Sequence, residues 1–390
     1  MIVGPVRTDW RLVGLLWLAG LGAAAQYGKV SVVFNRLGAL YPEVGALLGW
    51  AVSLVGGVGI VLGVTAGVVV ARVTLRRAMI WGLWLGAAMS FVQAATPALP
   101  LFLASRVVEG LSHLAIVVAA PTLIAGISRP QDQGVTLSLW GTFFGVAFTV
   151  LVWGGLPLVD RYGVPVLFAA HGAFMAGFAV VLARVLPRET GGDVHVPKLR
   201  AILGRHAQIY SSPRIGAPAA GWLFYTFSYV SLLTLLPPYL DPGSRALVLG
   251  AMPLISIVAS MTLGVWLMRR VSPVYVVQLS FLSAAVLALC LGMWQGHPAL
   301  CLALAAALGL AQGAGFAAVP FLNATGADRA LSNGGMAQTG NIGNTLGTPV
   351  LFFVATTMGY TSMLITLAAV LVMGFATHAG LHLLRSRRTC

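Results

Sequence analysis

The chain has 390 residues, 58% of them apolar and 8% charged, with a mean hydropathy of +0.92, whereas soluble globular proteins carry about 25% charged residues. That composition excludes a water-soluble fold and, for the same reason, intrinsic disorder. The formal net charge of +14 is then expected to be a topology signal of a membrane protein, with no nucleic acid needed to explain it.

A helix that crosses the hydrocarbon needs about 20 apolar residues, and the sequence offers about twelve such runs: 11–34, 44–70, 78–96, 99–127, 135–157, 165–186, 216–236, 246–268, 274–294, 299–325, 334–357 and 361–384. Runs such as 44–70 do not alternate polar and apolar residues, which excludes a transmembrane barrel. The first run follows Arg7 and Arg11 and ends near Ala23, Ala24 and Ala25, as a signal peptide would. Eleven further spans favour a retained helix.

Lys and Arg are held on the cytoplasmic side of a membrane. With both termini inside, 18 of the 23 basic residues are cytoplasmic and only Arg36, Arg161 and Arg245 lie in outside loops, leaving Lys29 and Arg106 within spans. The longest hydrophilic stretch, about 187–214, divides the chain nearly in half. It reads as a cytoplasmic linker, 187–215, between six-helix bundles at 1–186 and 216–390. The three cysteines, Cys290, Cys301 and Cys390, are too scattered for a disulfide framework or a thiolate metal site.

The halves repeat at an offset of 197–199. GVVVAR at Gly67 to Arg72 aligns with GVWLMR at Gly264 to Arg269, and Gly110, Pro121 and Gly141 align with Gly309, Pro320 and Gly340. Parallel repeats of six helices are an architecture of the major facilitator superfamily. The segment Gly67 to Arg77 (GVVVARVTLRR) resembles that superfamily's loop between helices two and three, with Ala71 in place of the acid and Thr74 in place of the second glycine. Arg106, Glu109 and Gly110 are similar to its Arg-x-x-x-Gly motif in helix four. The resemblance implies an all-α membrane fold of two pseudo-symmetric bundles in a bacterial inner membrane. It also implies a gating role for Gly67, Arg72, Arg76, Gly264 and Arg269, and a cavity lined by helices one, four, seven and ten.

A charge in the bilayer centre costs about 2.5–3.5 kcal/mol on insertion scales, so intramembrane ionisable residues are functional candidates. Lys29 lies in the first span, and Arg106, Glu109 and His113 form one stripe of the fourth. Glu109 is the one acid placed inside a span, and thus the proton carrier if transport is proton-coupled. A neutralising pair that only packs the bundle is the alternative for Arg106 and Glu109. Gln26 flanks Lys29. In the second half Trp222, Tyr225 and Tyr229, Gln312 and Asn323, and Gln338 and Asn341 supply polar and aromatic stripes; packing and interhelical glue are the competing readings. Gly59, Gly63 and Gly67 form a ridge of small residues suited to close helix contact.

Gln26 to Ser31 and Glu109 to Leu114 resemble a bacterial branch of the superfamily that holds copper importers and riboflavin-transporter relatives. Copper members of that branch pair methionines and histidines in helices seven and eight. Here the seventh span has no methionine, and the one His-x-x-x-Met, His171 to Met175, lies in the sixth. Glycine-rich matches at Gly20 and Gly313 sit inside apolar helices, where no loop can cradle a phosphate. The expectation is therefore a monomeric secondary transporter, not an enzyme and without cofactor, moving a small organic or anionic solute, with H+ as the coupling ion. A copper importer and a non-transporting membrane receptor or assembly factor are the alternatives.

Overall fold

The structure, a computed structural model, describes residues 7–63, 73–187 and 199–387. The described residues form fourteen helices and no strand. In chain order they are α1 (Trp10–Val32), α2 (Phe34–Leu40), α3 (Pro42–Leu62), α4 (Leu75–Ala94), α5 (Leu99–Ile127), α6 (Gln133–Tyr162) and α7 (Val164–Val185). There follow α8 (Leu199–Ser211), α9 (Gly216–Leu235), α10 (Arg245–Met268), α11 (Pro273–Met293), α12 (Pro298–Leu322), α13 (Gly326–Met358) and α14 (Tyr360–Arg387). Eight of them, α3, α5, α6, α7, α10, α11, α12 and α14, are long and apolar enough to cross a membrane.

The polarity of the molecule is inverted relative to a soluble protein. Trp81 is 70% exposed, and Leu279 and Phe353 are exposed too, whereas Lys29, Arg106 and Glu109 are wholly buried. Water would penalise such a surface; hydrocarbon would not. The chain is an integral membrane protein.

Local chemistry sets the helix ends. Asp9 accepts a hydrogen bond from the Leu12 amide at the start of α1 (3.0 Å), Thr325 accepts from the Asp328 amide at the start of α13 (3.1 Å), and Pro273 and Pro298 open α11 and α12. α6 and α13 each end on one glycine in a conformation open to glycine alone, Gly163 (φ 84°, ψ 170°) and Gly359 (φ 87°, ψ 177°). A single residue therefore reverses the chain into α7 and α14. This recurrence, 196 residues apart, adds to the repeat seen in the sequence. Pro121 and Pro320 likewise both lie inside their helices, α5 and α12.

The chain divides into two compact units, Met1–Leu40 with Thr65–Val196, and Tyr41–Val64 with Pro197–Cys390. The core of the first is built on Leu12, Leu16, Met79, Leu83, Ile116, Ile124, Met175 and Leu182, from α1, α4, α5 and α7. In the second, α9 packs along α13, and α11 lies against α12 and α14. α3 also belongs to the second unit, where its small residues meet α13. Gly59 lies against the Asn341 amide, Gly63 has the Gln338 backbone at 3.1 Å, and Gly49 has Pro349 Cα at 2.8 Å, as measured from a Cβ placed on each glycine. The ridge that the sequence suggested is thus used, except Gly67, which falls outside the described residues.

α8 lies in the stretch read from sequence as a linker. Its apolar residues Leu199, Leu203 and Tyr210 recur at helical spacing, and Ile209 lies on another face. Ile209 is wholly buried, and its Cγ2 would stand 2.8 Å from a Cβ on Gly335. The helix is tied down by Gln338, whose Nε2 donates to the Ile60 carbonyl (2.9 Å) and lies 3.1 Å from His206 Nε2, while its Oε1 accepts from Tyr210 Oη (2.7 Å). Burial pushes the Tyr210 phenol up from its ordinary value, which keeps it protonated as the donor. Gln338→Leu is expected to remove these contacts and cost about 0.5–1.5 kcal/mol, the net worth of a hydrogen bond. Limited proteolysis at α8, faster in the variant, is the check; an unchanged cleavage rate would remove Gln338 from this role.

Candidate functional site

Four helices of the first unit converge on one buried carboxylate. α5 carries Glu109, α1 carries Lys29, α4 carries Ser90 and Gln93, and α7 carries His171. Glu109 Oε1 accepts from Lys29 Nζ at 2.7 Å; Glu109 Oε2 accepts from Gln93 Nε2 at 2.8 Å and from the Arg106 guanidinium one turn earlier on α5. Both oxygens are filled. The side chains of Lys29, Arg106 and Glu109 all have zero exposure.

The three protons of the Lys29 ammonium have three acceptors: Glu109 Oε1, Ser90 Oγ at 2.6 Å and His171 Nδ1 at 3.3 Å. His171 Nε2 is 2.9 Å from the Gly22 carbonyl, which has only lone pairs to offer. Nε2 therefore carries the proton and Nδ1 is the acceptor facing Lys29 and Ser90 Oγ (2.7 Å). This is the neutral ring. A second proton on Nδ1 would point at the ammonium.

The second guanidinium nitrogen of Arg106 donates to the Gln26 carbonyl at 2.6 Å, fixing α1 to α5. Gln26 Nε2 donates to Ser112 Oγ (2.7 Å), and Ser112 Oγ donates to the Gly82 carbonyl (2.6 Å). His113 Nδ1 donates to the Ala23 carbonyl at 3.0 Å, and the His113 ring meets Tyr27 edge-on at 5.1 Å. Two buried acceptors in the cluster, Gln26 Oε1 and Gln93 Oε1, have no hydrogen-bond partner. Counted as ions, the cluster holds two cations and one anion.

The structure brings together Gln26, Lys29, Arg106, Glu109 and His113, joins His171 to them, and adds Ser90 and Gln93. Their side chains turn inward among the helices of the first unit, none more than 8% exposed. Both ring nitrogens of His171 are engaged, and the Met175 thioether is buried against Gly22, 2.5 Å from where a Cβ would stand there.

In the second unit Phe316, Trp222, Tyr225 and Tyr229 form an aromatic ladder, with ring centroids 4.6, 4.8 and 5.4 Å apart in turn. Tyr225 and Tyr229 are buried, and Gln312, on α12, is half-buried. Asn323 instead closes α12: its Nδ2 donates to the Val319 carbonyl and its own carbonyl accepts from Arg329. Asn341 Nδ2 donates to Ala337 O (2.7 Å), within α13. Arg76 caps α7, donating to the Ala183 (2.6 Å) and Leu186 (3.1 Å) carbonyls. Gly264 is buried, and Arg269 is exposed in the turn between α10 and α11. Gly67 and Arg72 lie outside the described residues.

The sequence model of the Major Facilitator Superfamily matches residues 16–330. No curated protein matches. Among solved structures, a variant of the E. coli fucose:proton symporter FucP is similar at 16% identity and TM-score 0.65, covering 96% of this chain and 99% of that one. FucP in the outward conformation is similar at 18% identity and TM-score 0.66, covering 95% and 98%.

Proposed function

The chain belongs to the Major Facilitator Superfamily, and from that premise we propose that it is a proton-coupled secondary transporter of a small organic anion, with Glu109 as the proton carrier. One observation carries this reading: a single wholly buried carboxylate is shared by two wholly buried cations. While Glu109 is ionised, it occupies Lys29 and Arg106 and leaves one net positive charge. Its protonation would release both cations, and an uncompensated pair of buried charges is strongly unfavourable. An anionic solute relieves that cost. Proton and anion therefore bind together, which is the coupling a symporter needs. The reading places the repeats at 1–186 and 216–390, the linker at 187–215, both termini in the cytoplasm, and a monomer in a bacterial inner membrane.

The test is flux in proteoliposomes for a panel of small carboxylates, riboflavin, L-fucose and organic amines, with and without an imposed pH gradient. An anionic member of the panel should accumulate against its gradient and leak back when a protonophore collapses the pH difference. Accumulation indifferent to that collapse would end the proton assignment. Binding without flux would favour a receptor on the same scaffold.

A further inference from the structure

At the end of the second unit where α10 closes and α11 opens lies a surface concavity of about 600 Å³, lined among others by Met268, Arg269, Arg270, Ser272, Pro320 and Phe321. Arg269 and Arg270 are both exposed, and among the described residues neither forms an ion pair. The Arg270 guanidinium sits 5.1 Å from the centroid of the Trp266 ring, and Trp266 and Phe321 are themselves more than half exposed. Two unpaired cations thus stand beside exposed aromatic surface.

The turn 269–272 joins two apolar helices long enough to cross a membrane, so it lies where hydrocarbon gives way to headgroups. Connectivity puts the start of α9, the start of α13 and the end of α14 at the same end, and Arg385 donates to the Pro213 carbonyl there. That end therefore also carries Arg214, Arg329 and Arg385, with Asp328 as its acid. Positive charge at a bilayer surface attracts anionic lipid. Only a molecule with an anionic head and an apolar body uses both halves of this surface; a free anion has no use for the exposed rings.

We propose that this concavity binds an anionic phospholipid, its phosphate held by Arg269 and Arg270 and an acyl chain laid along Met268 and Phe321. The experiment is native mass spectrometry of the full chain in detergent titrated with phosphatidylglycerol, phosphatidylcholine or inorganic phosphate. Arg269→Gln, Arg270→Gln and the double variant are compared with Arg161→Gln, an exposed basic residue of the first unit. Phosphatidylglycerol should be retained in preference to phosphatidylcholine, with the preference falling about five-fold per arginine removed and unaffected by Arg161→Gln. Both arginines are exposed, so unchanged melting of the variants in phosphatidylcholine verifies that they fold. A double variant that keeps the full preference overturns the proposal. So does inorganic phosphate displacing the lipid at equal concentration, which would mark a site for free anions.

Discussion

Glu109→Gln is expected to cost the first unit about 3–5 kcal/mol, because it removes the anion from a buried cluster and leaves Lys29 and Arg106 facing each other in a medium of low dielectric. The glutamine keeps the shape of the site but not its charge. Melting in detergent should fall accordingly. Lys29→Met added to Glu109→Gln should restore part of the loss, since it removes one of the two stranded cations. The double variant should differ from the sum of the singles by about 1–3 kcal/mol, the range for groups in direct contact. Additive losses would show that the Lys29–Glu109 pair, at 2.7 Å, contributes nothing as a pair.

The same substitution separates transport from folding. In reconstituted protein that remains folded, Glu109→Gln should lose proton-driven accumulation yet retain counterflow, which needs binding and conformational exchange but no proton. Its affinity for an anionic solute should also stop depending on pH, whereas that of the natural chain falls as pH rises and Glu109 regains its charge. Accumulation that survives in Glu109→Gln would remove the carboxyl from the coupling step. Equal loss of accumulation and counterflow would make the cluster a structural lock.

The parts of this site visible in the sequence are those that lipid makes expensive. Lys29, Arg106 and Glu109 stand out because charge in an apolar span demands a partner. Arg106 and Glu109 are neighbours on one helix face, so their pairing follows from spacing. The pairing of Lys29 with Glu109 spans 80 residues, and no periodicity encodes it. Ser90 and Gln93 escaped for a related reason: singly they resemble ordinary polar residues in a helix, and only packing of α4 against α5 makes them partners of Lys29 and Glu109; His171 was noted only for its spacing to Met175, and packing of α7 brings it to Lys29. Span limits fared better, since an apolar run ends where the chain leaves hydrocarbon; 99–127 is both the run and the helix α5. Arg76 carries a second duty that its motif does not show: besides the gate that the motif suggests, its guanidinium donates to the open carbonyls at the end of α7.

The second large effect should come from backbone contact between α9 and α13. A Cβ on Gly347 would collide with the Phe227 carbonyl oxygen, and one on Gly343 with Thr226 Oγ1 and the Leu223 carbonyl. These obstacles are mostly main chain, which no rotamer change can clear. Gly343→Ala and Gly347→Ala are each expected to force the helices apart at about 1–3 kcal/mol, the usual cost of overpacking, and their combination to abolish folded yield. Gly177→Ala, in α7 with no atom within 4 Å of the added carbon, should be neutral or stabilising by up to about 1 kcal/mol, the propensity gain of alanine in a helix. Thermal melting and the monodisperse yield on size exclusion check all four proteins. Because Ser231 Oγ donates to the Phe227 carbonyl (2.6 Å) and Thr348 Oγ1 lies 3.4 Å from Ser231 Oγ, separation at Gly347 also strains a hydrogen-bonded chain between the helices. Gly347→Ala should therefore lose more than Gly343→Ala, where the nearest atom belongs to a side chain; the opposite order would show that α9 shifts along its axis to accommodate the methyl.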